Sequence, residues 1–96
     1  MTAQPTVVVV GGTNLDVKAQ SSGPLQLGTS NPGTGSTTPG GVGRNIAENL
    51  ARLGTRTVLL SSVGRDAAGE SVLTQTAAAG VVLDYVHRTE GPTGTY

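Results

Sequence analysis

Cysteine, phenylalanine and tryptophan are all absent from these 96 residues. Without cysteine there are no disulfide staples and no thiolate metal sites, and composition leaves the redox compartment open. With Tyr85 and Tyr96 the only aromatics, a core must be built from Val, Leu, Ile and Ala. Excess charge is missing too. Six acidic side chains balance six basic ones, so no global field recruits nucleic acid or an anionic membrane. The longest apolar run is Val7–Val10, far short of the ~20 residues a spanning helix needs. Met1–Thr6 carries no charged side chain, which removes the basic start of a secretory signal. His87 is the single histidine, and alone it makes no metal site. A soluble, cytoplasmic chain without a nucleic-acid or membrane partner is expected.

Glycine, by contrast, is plentiful at 15 residues, and each adds to the entropy lost on folding. A domain of this size buries only about 60–65% of the surface its unfolded chain exposes. Thr6–Val10 is a β-branched run ending at Gly11-Gly12. Its continuous valines predict a strand buried on both faces, as in a parallel sheet. Residues 21–41 are rich in Gly, Ser, Thr and Pro, with a turn signal at Asn31-Pro32-Gly33. A stretch this long inside a compact domain reads as a functional flap or as a disordered linker, and the flap is the expectation.

From Arg44 to Leu53 the pattern turns helical, with Ile46, Leu50 and Leu53 on one face beside Ala47 and Ala51. Glu48, Asn49 and Arg52 point away, and Gly54 is the expected left-handed terminator. Arg56–Ser62 reads as a second strand. Asp66 caps a second helix running to about Ala79, with Ala68, Val72, Leu73 and Thr76 or Ala77 inward and Gly80 at its end. Val81–Arg88 is extended, Gly91-Pro92 turns, and Thr93–Tyr96 starts another strand. Strands alternating with helices imply an α/β fold with a parallel sheet flanked by helices.

Two segments carry potential chemistry. Asn14-Leu15-Asp16 follows the first strand, where open α/β sheets bind ligands. A carboxylate there can accept hydrogen bonds from neighbouring hydroxyls and so grip a polyol, or it can merely cap a turn. Gly40-Gly41-Val42-Gly43-Arg44-Asn45 leads into the first helix. Its glycines allow close backbone approach, and Asn45 in the first turn can donate to and accept from a hydroxyl. The plain alternative is a glycine loop that only starts a helix. A dinucleotide fingerprint is not supported, because Gly11-Gly12 lacks the third glycine and no Gly-Lys-Ser/Thr loop is present. Ser61 and Ser62 have no nucleophile-elbow context, while Lys18 and Arg65 read as solvated cations.

Taken together, the residues resemble the ribokinase-like (PfkB) carbohydrate kinase family. Its first signature is matched by Gly40, Gly41, Gly43, Asn45, Ala47, Gly54 and Gly64, and its early Asn-x-Asp by Asn14 and Asp16. Within the family the likeness is greatest to the branch acting on pseudouridine. It lies in Ser30–Gly33, Thr38–Ala47, Leu59-Leu60-Ser61, Val63-Gly64 and Leu73–Thr76.

The resemblance implies the N-terminal portion of a Rossmann-like ribokinase fold over residues 1–96, with a small β-lid from about 17–41 and 84–96. It implies that Asn14, Asp16, Gly40, Gly41, Val42 and Asn45 bind a sugar or nucleoside, with Lys18, Asn31 and Thr93 on the lid. It also implies transfer of the ATP γ-phosphoryl, with Mg2+, to the 5′-hydroxyl of pseudouridine or a related ribosyl compound. A homodimer through the lid goes with it. The catalytic base and the ATP site of the family belong to a C-terminal part with no counterpart in 1–96, so no catalytic residue is expected here and the segment alone should be inactive. A non-catalytic sugar-binding module, or a lid-mediated oligomerisation piece, is the alternative.

Overall fold

The computed structural model describes residues 4–96; Met1–Ala3 of the domain expected over 1–96 lie outside the described residues. Strand β1 is Thr6–Val10, where consecutive β-branched side chains disfavour a helix. Strand β4, Arg56–Leu60, lies parallel to it, with Val8 opposite Val58 and Val10 opposite Leu60. The sequence predicts one strand over Arg56–Ser62. The structure breaks it at Ser61, and Ser62–Gly64 continues as β5. On the far side, Val82 bridges to Val58, donating to Thr57 O at 2.9 Å and accepting from Leu59 N at 3.1 Å. His87–Thr89, strand β6, then pairs in parallel with β5.

Helix α1, Val42–Arg52, starts two residues before the expected Arg44, with Gly41 at its N-cap. Helix α2 is Ala67–Ala78, and its Asp66 cap is as expected: Gly69 N–H donates to Asp66 Oδ1 at 2.8 Å. Both helices run out into glycines in the left-handed region, Gly54 at φ 91° and Gly80 at φ 99°, as anticipated. The core is Ala47, Leu59 and Val81, flanked by Val9, Ala51, Leu83 and Val86.

Two burial expectations are corrected. β1 is not buried on both faces: Val8 is 54% and Val10 77% exposed, while Val9 packs into the core. The inward stripe of α1 is not Ile46–Leu50–Leu53, since Ile46 is 48% and Leu53 82% exposed. Its buried residues are Gly43, Arg44 and Ala47. The reason is close approach, because a Cβ on Gly43 would lie 2.6 Å from Gly11 Cα. Only the small face of α1 can sit that near β1, which turns the larger side chains outward. On α2, Val72 and Thr76 are buried with Gly69, Ala68 and Leu73 are half-buried, and Ala77 is exposed.

The flap is an antiparallel hairpin of β2, Asn14–Ser21, and β3, Gly33–Gly40. It begins at Asn14, three residues earlier than the expected lid. Of residues 84–96, only the end joins it: Leu15 N–H donates to Gly94 O at 2.9 Å and Tyr96 N–H to Leu15 O at 3.0 Å. His87–Thr89 lies in the β5 pair instead. Eight-residue arms of about 27 Å stretch the molecule to 64 × 30 × 17 Å. Its radius of gyration is 16.6 Å, against about 12.5 Å for a compact chain of this length.

Candidate sugar-binding site

The half-buried part of the hairpin is its base, where Asn14 pairs with Gly40 and Asp16 with Thr38. Residues two apart on a strand share a face, so Asn14 and Asp16 stand side by side. Asn14 Nδ2 donates to Asp16 Oδ1 at 2.7 Å. Both lie over Gly40, where a Cβ would be 2.7 Å from Asp16 Cγ and 2.8 Å from Asn14 Nδ2. Glycine at 40 is thus what lets the carboxylate and the carboxamide lie flat against the backbone. Asp16 Oδ2 is left for another donor.

The glycine loop reaches this wall through the end of β1. Gly41 sits at φ 95°, and a Cβ there would come within 2.7 Å of the Gly12 carbonyl carbon. Arg44 N–H donates to Gly12 O at 3.1 Å, and Asn45 N–H to Gly41 O at 2.8 Å. The hydroxyls of Thr13 and Ser61 meet at 2.7 Å, tying the chain after β1 to the break between β4 and β5. Helix α1 and the hairpin therefore spring from one point. Asn45 lies on the exposed side of the first turn, its Oδ1 accepting from Arg44 Nη2. The structure brings Asn14, Asp16 and Gly40 into direct contact. It joins Asn45 to them through Arg44 rather than directly, and Val42 is 76% exposed at the start of α1.

A cavity of about 310 Å³ opens on the hairpin, lined by Asp16, Val17, Lys18, Ser36, Thr38 and Tyr96. Lys18, expected on the lid, is at its wall. A hollow of about 350 Å³ at the hairpin tip is slightly larger, but no residue with a titratable side chain lines it. Asn31 shapes that tip, accepting from Gln26 N–H at 2.8 Å and donating to Gln26 O at 3.0 Å and Thr29 O at 3.1 Å. Thr93 is elsewhere. It is 5% exposed, its hydroxyl donates to Asp66 Oδ1 at 2.6 Å, and Thr93 Oγ1 in turn accepts from Gly64 N–H at 3.0 Å. Thr93 N–H donates to Asp66 Oδ2 at 2.8 Å.

Sequence reasoning found Asp66 as a cap and missed it as a clasp between α2 and the segment that leads to the hairpin. Thr93 hydrogen bonds, with that from Gly69, hold its carboxyl down from 3.8 to about 2. It also missed the buried Arg44; an arginine in the first turn beside a glycine loop was the available signal. Hydrogen bonds from Arg44 and Arg52 hold the Glu48 carboxyl below its usual range. His87 and Arg65 are exposed, with Arg65 paired to Glu90 at 2.7 Å.

The base of the two-stranded hairpin thus carries a carboxamide–carboxylate pair beside a parallel α/β sheet. Residues 4–96 match the family described as pfkB family carbohydrate kinase, and the chain belongs to that family. It is 54% identical to pseudouridine kinase of Escherichia coli (strain K12) over 81% of this chain and 25% of that protein. An uncharacterized sugar kinase of the same organism, YeiI, is 43% identical over 100% of this chain and 27% of its own length. The fold is that of ribokinase: the structure of Arabidopsis thaliana ribokinase complexed with ribose and ATP superposes with a TM-score of 0.83 at 34% identity. That match covers 98% of this chain and 31% of the ribokinase. The chain thus spans between a quarter and a third of the length of these relatives.

Proposed function

We propose that this chain forms the acceptor-binding part of an ATP-dependent kinase that phosphorylates the 5′-hydroxyl of a ribosyl compound, pseudouridine first among the candidates. The observation that carries this reading is the Asn14–Asp16 pair seated on Gly40 beside the 310 Å³ cavity. The similarity to pseudouridine kinase supports the choice of acceptor. Asp16 Oδ2 accepts hydrogen bonds from secondary hydroxyls, an arrangement that grips the ring and leaves the primary hydroxyl to react. Phosphoryl transfer depends on positioning and charge stabilisation, and the first of these is what the hairpin base and glycine loop supply. Closure of the hairpin over the acceptor excludes water, which protects ATP from hydrolysis.

ATP supplies the phosphoryl group and Mg2+ its charge neutralisation, but the residues here do not fit either. No group of three or more His, Asp or Glu that could hold a metal occurs among the described residues, and the sequence has no Gly-Lys-Ser/Thr loop. We assign no transfer step to this chain's residues, and in this reading residues 1–96 by themselves bind acceptor without catalysing. In the same reading the kinase is a cytoplasmic homodimer joined through the lid, where β3 pairs on one side only among the described residues. The test is an ATP-dependent assay of the complete polypeptide and of residues 1–96 against pseudouridine, uridine and ribose. Turnover of pseudouridine by the complete polypeptide alone is expected. Preference for ribose would move the assignment to a free sugar, and no turnover of any ribosyl compound would overturn it.

A further inference from the structure

Arg44 is only 3% exposed, and its guanidinium bonds both to Gly40, beneath Asp16, and to Asn45. Nε donates to Gly40 O at 3.1 Å and Nη2 to Pro39 O at 3.3 Å, pinning the strand end beneath Asp16. Nη1 donates to Glu48 Oε1 at 2.8 Å and to Thr76 Oγ1 at 3.2 Å, anchoring the group to α1 and α2. Nη2 also reaches Asn45 Oδ1. A guanidinium has donors and no acceptor, so only the oxygen of the Asn45 carboxamide can face it. The NH2 of Asn45 is thereby turned outward, and among the described residues it has no protein partner.

We infer that Arg44 is a positioning residue that fixes the Asn45 carboxamide as a donor toward the acceptor substrate and holds the Gly40 wall in register with it. This rests on the sugar-binding reading of the site. It narrows the general expectation that Asn45 both donates and accepts. The bound molecule presents a lone pair at Asn45 and a hydroxyl hydrogen at Asp16, so one polyol is read in opposite senses at its two ends. Lysine cannot replace this arginine, because an ammonium lacks the planar fork that reaches Pro39, Gly40 and Asn45 together.

The test uses the complete polypeptide. Asn45→Asp keeps an acceptor for Arg44 and removes the outward donor, so KM for the ribosyl acceptor should rise about tenfold with the melting temperature unchanged. Arg44→Lys should raise the same KM by a similar factor and lower kcat, leaving KM for ATP unaltered; a purely structural role would lower the melting temperature with KM intact. Independently of turnover, selective labelling reads the chemical shifts of the two Asn45 amide protons and their nitrogen, which the guanidinium at Oδ1 should displace from those of a free carboxamide in the wild type. The shifts should move back toward free-carboxamide values in Arg44→Met, with Arg44→Lys as the variant that keeps a charge beside Glu48. An Asn45 amide unmoved in both Arg44 variants, or an unchanged acceptor KM in Asn45→Asp, overturns the inference. The amide readout decides the role of Arg44 whether or not a ribosyl compound proves to be the substrate, which keeps the two conclusions separable.

Discussion

Adding a single methyl group at Gly40 probes the site without removing a polar atom from it. In Gly40→Ala the new carbon would sit 2.7 Å from Asp16 Cγ and 2.8 Å from Asn14 Nδ2. Those are the ends of side chains, so they can swing aside, and Gly40 is not among the glycines with positive φ. Alanine is thus compatible with the backbone, and a compatible Gly→Ala change shifts stability by less than about 1 kcal/mol. The carboxylate, though, must leave its place. A hydrogen bond to a charged group contributes about 1.5–3 kcal/mol, and 1.4 kcal/mol is about a factor of ten in affinity. Losing one such bond to a ribosyl hydroxyl weakens binding on the order of ten- to a hundredfold. Calorimetric titration of the complete polypeptide, with melting curves alongside, separates these effects. Gly43→Ala is the control: its methyl would meet Gly11 backbone at 2.6 Å, where nothing can swing aside, and overpacking costs about 1–3 kcal/mol of stability. If Gly40→Ala bound nucleoside like the wild type, Asp16 would not be gripping the ligand from its present position.

Further outcomes follow from the hairpin and its clasp. Asp66 is held down from 3.8 to about 2 in the folded chain, so its stabilising contribution is present above the unfolded value and fades as pH falls toward the folded one. Melting temperature should therefore drop between about pH 4 and 2, and Asp66→Asn should flatten that part of the profile while lowering stability at neutral pH. Asn31→Ala removes the side chain that braces the tip through Gln26 and Thr29. Amide exchange in 24–32 should accelerate, with little change in nucleoside affinity.

The elements that could be read from sequence are those whose signal is local. Four valines before a glycine pair specify β1, Asp66 specifies the start of α2, and Gly54 and Gly80 mark both helix ends. The face of α1 was not legible. Apolar periodicity favours Ile46 and Leu53, but the backbone contact of Gly43 with Gly11 lets the smallest residues win the interior and admits Arg44 only because each wing of its guanidinium finds a partner. At the site, Asn14, Asp16 and Asn45 stood out through their motifs. The hydrogen bond joining the first two lies within β2, but the flat seat at Gly40 depends on the register of β2 with β3. No local pattern in a Gly-, Ser- and Thr-rich hairpin fixes that register. Thr93 was expected on the lid, whereas its burial against Asp66 follows from a contact across 27 residues.

The most direct measurement pairs a missing hydroxyl with a missing charge. Dissociation constants of a ribonucleoside and its 2′- and 3′-deoxy analogues would be measured on the complete wild-type polypeptide and on Asp16→Asn. In the wild type, removing a hydroxyl gripped by Asp16 should weaken binding about tenfold or more, and in Asp16→Asn the same removal should cost less, because a neutral amide oxygen accepts a weaker hydrogen bond than a carboxylate does. Equal losses in both proteins would mean that the carboxylate does not meet those hydroxyls, and the proposed site would lie elsewhere.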